Sequence, residues 1–348
     1  MHRFGTKFVK AALASAHFVG ADGLLAPFTR GLGVIFMLHH VRPEAPRAFE
    51  PNRILKVTPS FLEEVIGQVH EAGFDTIGLD DVPARLAARD TGRPFACFTL
   101  DDGYKDNLEH AYPVFKRHNV PFAIYVPTDY ADGAGDLWWL VLEEAIARAP
   151  HVSVQMDGEL RQFPAATVEE KTQAYEAIYW WLRRLPEDRA RIVVRELAQS
   201  IGYDASGLCS QLVMTWEELR LLAQDPLVTI GAHSRRHLAL GRLSDDEAQA
   251  EMAGSIARVE LELGRPCRHF SYPYGCPVSA GRREFEMAQR LGIATAVTTR
   301  KGLIWRRHAN SLTALPRFSL NGDYQDARFT KVMLSGAPFA LWNAMQRN

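Results

Sequence analysis

The sequence predicts an α/β chain folded as a barrel of the (β/α) type, and three observations lead there. Short runs rich in Val, Ile, Phe and Thr recur along the chain. Amphipathic helical patterns fill the spaces between them. The runs are also too continuously apolar for strands exposed on one face, the pattern of parallel strands covered on both sides. Seven β-α alternations in 348 residues favour a barrel, with an open doubly wound sheet as the alternative.

Strands are expected at Val34–Leu38, Phe74–Leu79, Phe95–Leu100, Pro121–Val126, Leu227–Ala232, Arg268–Tyr272 and Ala294–Thr299, with a possible last strand at Leu315-Pro316-Arg317. Helices fit between them. Ser60–Ala72 follows the cap-like Thr58-Pro59, Leu108–His118 follows the third strand, and Ser244–Leu263 opens on Ser-Asp-Asp-Glu and stops at Gly264. From Asp136 to about Ser210 only helical patterning is found, at Trp138–Ala149, Val168–Leu185 and Glu187–Ile201. One crossover needs far less chain. The segment therefore reads as a helical insertion, residues 135–212, between the fourth and fifth strands of a barrel spanning 33–322.

Residues 1–32 read as an amphipathic segment, with Phe4, Phe8, Ala11, Ser15 and Phe18 near one face. A secretory signal is the alternative, since Ala14-Ser15-Ala16 mimics a processing site, but Lys10 and His17 interrupt the apolar run. Residues 323–348 are expected to form a helical tail.

Composition narrows the function. Forty Lys and Arg against 41 Asp and Glu leave a net charge of −1, which argues against a nucleic-acid binder. Hydrophobic residues make up 47% and charged residues 23%, as in an ordinary globular chain. Cys97, Cys209, Cys267 and Cys276 show no CxxC spacing and read as mostly buried thiols in a reducing compartment. No apolar run reaches the roughly 18–20 residues of a membrane span.

The residues just past the strand ends carry the chemistry. They are His39-His40, Asp80-Asp81, Asp101-Asp102-Gly103, Pro127-Thr128, His233, Pro273-Tyr274-Gly275 and Thr299-Arg300. In a (β/α) barrel such positions converge on one face, so carboxylates and imidazoles there make a metal site plausible. His233 and His237 are spaced to share a face if one helical turn joins them. Asp245-Asp246 reads as helix capping with favourable dipole charge, and Asp80-Asp81 as a second cap. Asp101-Asp102 differs, because Gly103 lets the chain turn sharply and the two carboxylates point apart. One can then ligate a metal while the other serves as base.

Three motifs, Phe98-Thr-Leu-Asp-Asp-Gly103, His233-Ser-x-x-His237 and Phe270-Ser-Tyr-Pro-Tyr-Gly275, resemble in order and context those of the polysaccharide deacetylase family. The resemblance covers roughly residues 33–320 and implies a distorted (β/α)7 barrel carrying a metal-dependent N-deacetylase. It makes Asp101 the base, Asp102, His233 and His237 the metal ligands, and the Tyr274 N–H an oxyanion donor. Pro273, Gly275 and Trp138 become candidate substrate contacts. Zinc suits an Asp-His-His set with open positions, with cobalt, nickel, manganese or iron as alternatives.

Two features depart from the family pattern. Many members carry an arginine before Pro-Tyr-Gly that orients the base, whereas this chain has Ser271-Tyr272 there. Arg317 is the candidate replacement, the alternative being an ion pair at the surface. As a replacement, its change to Ala should lower turnover and leave the fold intact. The family's Leu-x-His acid is also absent, since Leu312-Thr313-Ala314 has no histidine. Met37-Leu-His-His-Val41 resembles branches that supply the acid from the first strand, which points to His39, with His40 second.

The expected activity is release of an N-acyl group, in the first place acetyl, from an amino sugar in an oligosaccharide, polysaccharide or lipid-linked glycan. A deformylase, another amidase and a non-catalytic glycan binder are the alternatives. A cytoplasmic enzyme with possible peripheral contact to the inner membrane is expected, with secretion as the alternative. Trp138-Trp139 could line a sugar platform, whereas Trp180-Trp181 look like packing.

Overall fold

The computed structural model describes residues 29–89 and 92–338. The amphipathic 1–28 stretch, the signal-like Ala14-Ser15-Ala16 and the tail beyond 338 lie outside the described residues.

Seven parallel strands close into a barrel, in the order β1 Gly33–Leu38, β2 Phe95–Asp101, β3 Phe122–Val126, β4 Val228–Ala232, β5 His269–Ser271, β6 Thr295–Lys301 and β7 Leu315–Ser319. The ring closes because β1 pairs β2 in the register Gly33↔Phe95 and pairs β7 in the register Phe36↔Phe318. This is the distorted (β/α)7 barrel expected from the sequence.

Side-chain alternation sorts the strands into two cores. Val34, Phe36, Leu38, Ala96, Phe98, Leu100, Ile124 and Ile230 pack outward under the helices. Ile35, Phe95, Cys97, Ala123, Tyr125, Val297 and Leu315 fill the interior. Continuous apolar runs are thus what a strand covered on both faces requires.

Six of the seven expected strands are staves of the barrel. The exception is Phe74–Leu79, where only Asp75–Thr76 pairs with the start of β2 before the chain leaves into a 3-10 turn at Leu79–Asp81. The seventh stave is β7, which the sequence marked only as a possible strand.

The insertion follows β3 and contains the helices Trp138–Arg148, Val168–Leu182 and Glu187–Ser200, close to the expected bounds. It also contains an antiparallel hairpin, His151–Met156 with Glu159–Pro164, where only helical patterning was expected. Its local signal is Asp157-Gly158 between alternating residues. Both take positive φ, 53° and 90°, as a two-residue hairpin turn demands. The insertion has a hydrophobic core of its own, and Phe49, Tyr104 and Tyr130 from the barrel side join it. It therefore sits on the barrel mouth as a packed unit.

Local chemistry explains the helix ends. Ser244 caps Asp245–Leu263 in a reciprocal box with Glu247, and Gly264 closes it at φ 64°. Asp245 and Asp246 supply first-turn charge, as expected. Asp81 occupies a cap position, but its side chain makes no capping bond, and Asp80 pairs with Arg268 at 3.0 Å. Cys97, Cys209 and Cys267 are buried, Cys276 is half-buried, and all four are free thiols. Trp181 is buried as expected of a packing residue, whereas its neighbour Trp180 is 59% exposed.

Candidate active site

The interior row of β2 runs Phe95, Cys97, Thr99, Asp101, so strand periodicity alone carries a carboxylate to the top of the barrel. On the far side of β1, the interior row of β7 brings Arg317. Its guanidinium grips Asp101 with both nitrogens, Nη1 to Oδ1 at 2.8 Å and Nη2 to Oδ2 at 2.7 Å. Its other donors reach the Thr298 carbonyl at 3.0 Å, Thr99 Oγ1 at 3.1 Å and Ser271 Oγ at 3.1 Å. Arg317 is fully buried and lies against Asp101 rather than in the alternative surface ion pair. Burial alone would raise the Asp101 carboxyl, but Arg317, with His233 beside it, holds it well below the usual carboxylate range.

The next residue turns away. Asp102 adopts φ 73° and Gly103 φ 67°, which separates the two carboxylates as the sequence suggested. Asp102 Oδ1 faces His237 Nε2 at 3.4 Å and His233 Nε2 at 3.6 Å. Their ligand atoms all lie within 4.8 Å of one another, and all three residues are buried. A helical turn does not join the two histidines. Ser234 and His237 both take left-handed backbone, φ 59° and 58°, and the loop folds back to bring the rings to 4.9 Å. Such strain persists only where surroundings enforce it. Here Ser234 Oγ accepts the His237 N–H at 3.0 Å. Buried Glu251 accepts the N–H groups of Arg235 and Arg236 at 3.1 and 2.9 Å. Glu251 is a site-shaping residue that sequence reasoning missed, because it sits mid-helix 14 residues after His237.

Electrostatics separate the roles. Burial, then the adjacent Asp101, pushes Asp102 up to about 8. Burial lowers both His233 and His237, which keeps them neutral as ligation requires. His233 Nδ1–H donates to the Ser271 carbonyl at 2.6 Å, leaving Nε2 toward Asp102. The residues fit a tetrahedral cation. Ligand atoms about 2.0–2.2 Å from zinc stand about 3.4 Å apart, close to the separations seen, and Asp102 Oδ1 is buried without a hydrogen bond.

Tyr274 closes the third side. It has φ 58°, its carbonyl accepts from Thr299 Oγ1 at 2.6 Å, and its N–H makes no hydrogen bond among the described residues. Gly275 follows because a Cβ there would lie 2.5 Å from the Thr299 nitrogen. The insertion grips the Tyr274 side chain. Trp138 Nε1 donates to its hydroxyl at 3.1 Å, and the Arg183 guanidinium lies 3.6 Å over its ring. Trp138 is buried and stacked on Tyr179 at 5.2 Å, so it acts as a brace and not as an exposed platform. Pro273 and Gly275 are likewise buried beside Tyr274.

His39 is half-buried at the mouth, within electrostatic reach of Asp101, Arg317 and His233. Burial, against the opposing pull of Asp101, lowers it to about 4. His40 is committed elsewhere, with Nδ1 2.7 Å from Asp106 and its ring stacked 3.6 Å from Tyr104.

With this geometry in view, residues 88–296, more than half of the chain, match the family model of polysaccharide deacetylases. The chain belongs to the polysaccharide deacetylase family. It is a hydrolase of carbohydrate substrates that acts by N-deacetylation. No curated protein matches the sequence. Among the solved structures that share the fold are three deacetylases. The Streptococcus pyogenes deacetylase PplD, solved in complex with acetate, is 17% identical, with TM-score 0.55 over 83% of this chain and 92% of its own. IcaB from Ammonifex degensii is 16% identical, with TM-score 0.54 over 88% and 98%. A de-N-acetylase from Aggregatibacter actinomycetemcomitans is 11% identical, with TM-score 0.54 over 86% and 98%. His39 and Arg317 both lie outside the family-matched span of this deacetylase, so geometry alone speaks for them.

Proposed function

We propose that this deacetylase hydrolyses the N-acetyl group of an amino sugar at a zinc centre held by Asp102, His233 and His237, with Asp101 as base. The observation that carries this reading is the pairing of a buried Asp-His-His group with a second carboxylate that a buried arginine holds apart. When bound, the metal supplies Lewis acidity toward the amide carbonyl and the attacking water.

The chain's own residues divide the remaining work. Asp101 stays ionised, and each of its oxygens keeps a lone pair beyond the Arg317 bonds, so it can accept the proton of the attacking water. The free Tyr274 N–H is oriented to donate to the developing oxyanion. His39 protonates the departing amine. Because it is lowered to about 4, it is neutral near pH 7, so the proton it delivers is the one Asp101 took from the water and passed on to it. Replacing His39 by Ala should remove the acidic component of the pH–rate profile and lower kcat by about 10²–10⁴-fold. A wild-type rate and profile would remove His39 from the acid role.

Glu251→Ala should weaken metal affinity by about 10–100-fold, measured by competition with a chromophoric chelator. Unchanged affinity would mean that the His233–His237 loop supports itself. A cytoplasmic location is supported by the four free thiols, and a lipid-linked glycan met at the inner membrane is the finer alternative to a polymer. The deciding experiment is hydrolysis of N-acetylglucosamine oligomers by zinc-reconstituted protein, with the released acid identified. Formate in place of acetate would favour a deformylase, and no turnover with any divalent metal would overturn the mechanism.

A further inference from the structure

The end of the barrel opposite the catalytic residues carries a basic face. There the segments leading into β1, β2 and β7 lie together. The Leu32 N–H donates to the Ile304 carbonyl at 2.7 Å, and the Leu32 carbonyl accepts from the Phe95 N–H at 3.0 Å. Arg306 donates to the carbonyls of Ala88 and Arg89 at 2.7 and 3.2 Å, which ties the loop before β7 to the segment before β2.

Four guanidinium groups stand on this face, Arg30, Arg89, Arg306 and Arg307, the last three of them exposed. None forms an ion pair among the described residues. Asp75 at the same end is already shared by Arg85 at 3.1 Å and Arg93 at 3.4 Å. Asp90 lies outside the described residues. The whole chain has a net charge of −1, so the positive charge here is local. Like charges gathered on one surface repel one another, which an anionic partner relieves.

Trp305 lies among them. The Arg307 guanidinium sits 5.8 Å from its ring, which also packs against the Gly31 backbone, where a Cβ would stand 3.3 Å from it. A half-buried indole beside exposed arginines suits the headgroup level of a bilayer. The chain's ends adjoin this face. Thr29, next to Arg30, donates from Oγ1 to the Ser335 carbonyl at 2.5 Å, so residues 1–28 and 339–348 are attached at neighbouring points. By sequence they carry Arg3, Lys7, Lys10 and Arg347 against one acid, Asp22, and add Phe4, Phe8 and Trp342. A soluble polyanion needs the charges alone. Basic and apolar residues together fit a lipid surface, where electrostatic attraction and apolar burial act jointly.

We propose that this face docks on a membrane of anionic lipids, with the active-site mouth at the other end of the strands and open to water. The glycan then reaches the site from the aqueous side, an orientation that favours a polymer over a lipid-linked substrate. The proposal is independent of the metal chemistry.

The test is sedimentation of the 348-residue protein with increasing amounts of vesicles, of phosphatidylcholine alone or mixed with phosphatidylglycerol. The wild type should bind the mixed vesicles at least about tenfold tighter, and the difference should shrink as salt is raised. Arg89→Glu/Arg307→Glu reverses two exposed charges at the end away from the catalytic residues. It should remove that preference and still release acetate from soluble N-acetylglucosamine oligomers as fast as the wild type. Equal binding to both vesicles, or an undiminished preference in the variant, would overturn the proposal. So would binding to dextran sulfate without binding to the mixed vesicles, which would make the partner a soluble polyanion. Docking is read without turnover, so a protein that docks but releases no acetate counts against the catalytic reading alone.

Discussion

Arg317→Ala is expected to lower turnover by at least about 10²-fold, because the base loses the fork that fixes both of its oxygens. It should also destabilise the protein by about 3–5 kcal/mol, since Asp101 would remain buried and unpaired. The sequence alone suggested an intact fold, and full burial of the guanidinium adds this stability cost to that expectation. Denaturant midpoints measure the loss. The double variant Asp101→Asn/Arg317→Met should recover much of the stability and none of the activity. Wild-type turnover in Arg317→Ala would remove it from the site. The pair also sets an acid limit. Asp101 is held below its unfolded value, so its stabilisation is present above about pH 4 and is lost as pH falls through the folded value.

Asp102→Asn should abolish stoichiometric metal binding and cost at least about 10³-fold in turnover, the several kcal/mol that a Lewis acid contributes. The same change should make the metal-free protein less sensitive to pH. Burial raises the folded Asp102 to about 8 against about 3.9 unfolded, so its contribution to stability is present below about pH 4 and lost as pH rises toward 8. Metal-free Asp102→Asn should therefore lose less stability than metal-free wild type as pH rises between about 5 and 8, as read from melting temperatures. Metal content and rate that match the wild type would sink the ligand assignment. The expected trade of apo stability for function is the usual signature of a site built to hold something.

Much of the fold was legible because its signals are local. A stave covered on both sides needs an unbroken apolar run, and β1, β2, β3 and β4 each have one. Helix caps need Ser or Thr followed three residues later by Glu, as at Ser244 and Glu247. Where the local signal was ambiguous, long-range pairing decided. Phe74–Leu79 looks as much like a strand as Leu315–Ser319 does, yet only the latter finds partners on both edges. The Asp157-Gly158 hairpin has a local signal too, although helical residues surround it.

For the site, the chain's order of residues determined which side chains are chemically competent. The Asp-Asp-Gly turn, the two histidines and the Pro-Tyr-Gly turn sit just past strand ends, which a parallel barrel must gather on one face. Tertiary structure alone decided which of them are coupled. No spacing announces that Arg317, 216 residues from Asp101, completes its grip. Nor does any spacing show that Glu251 holds the histidine loop, that His40 belongs to Asp106, or that Trp138 and Arg183 brace Tyr274. These are contacts through space between segments whose separation along the chain carries no energetic cost once the barrel has closed. Hydrophobic periodicity is therefore readable in one dimension, whereas the pairing of buried charges appears only in three.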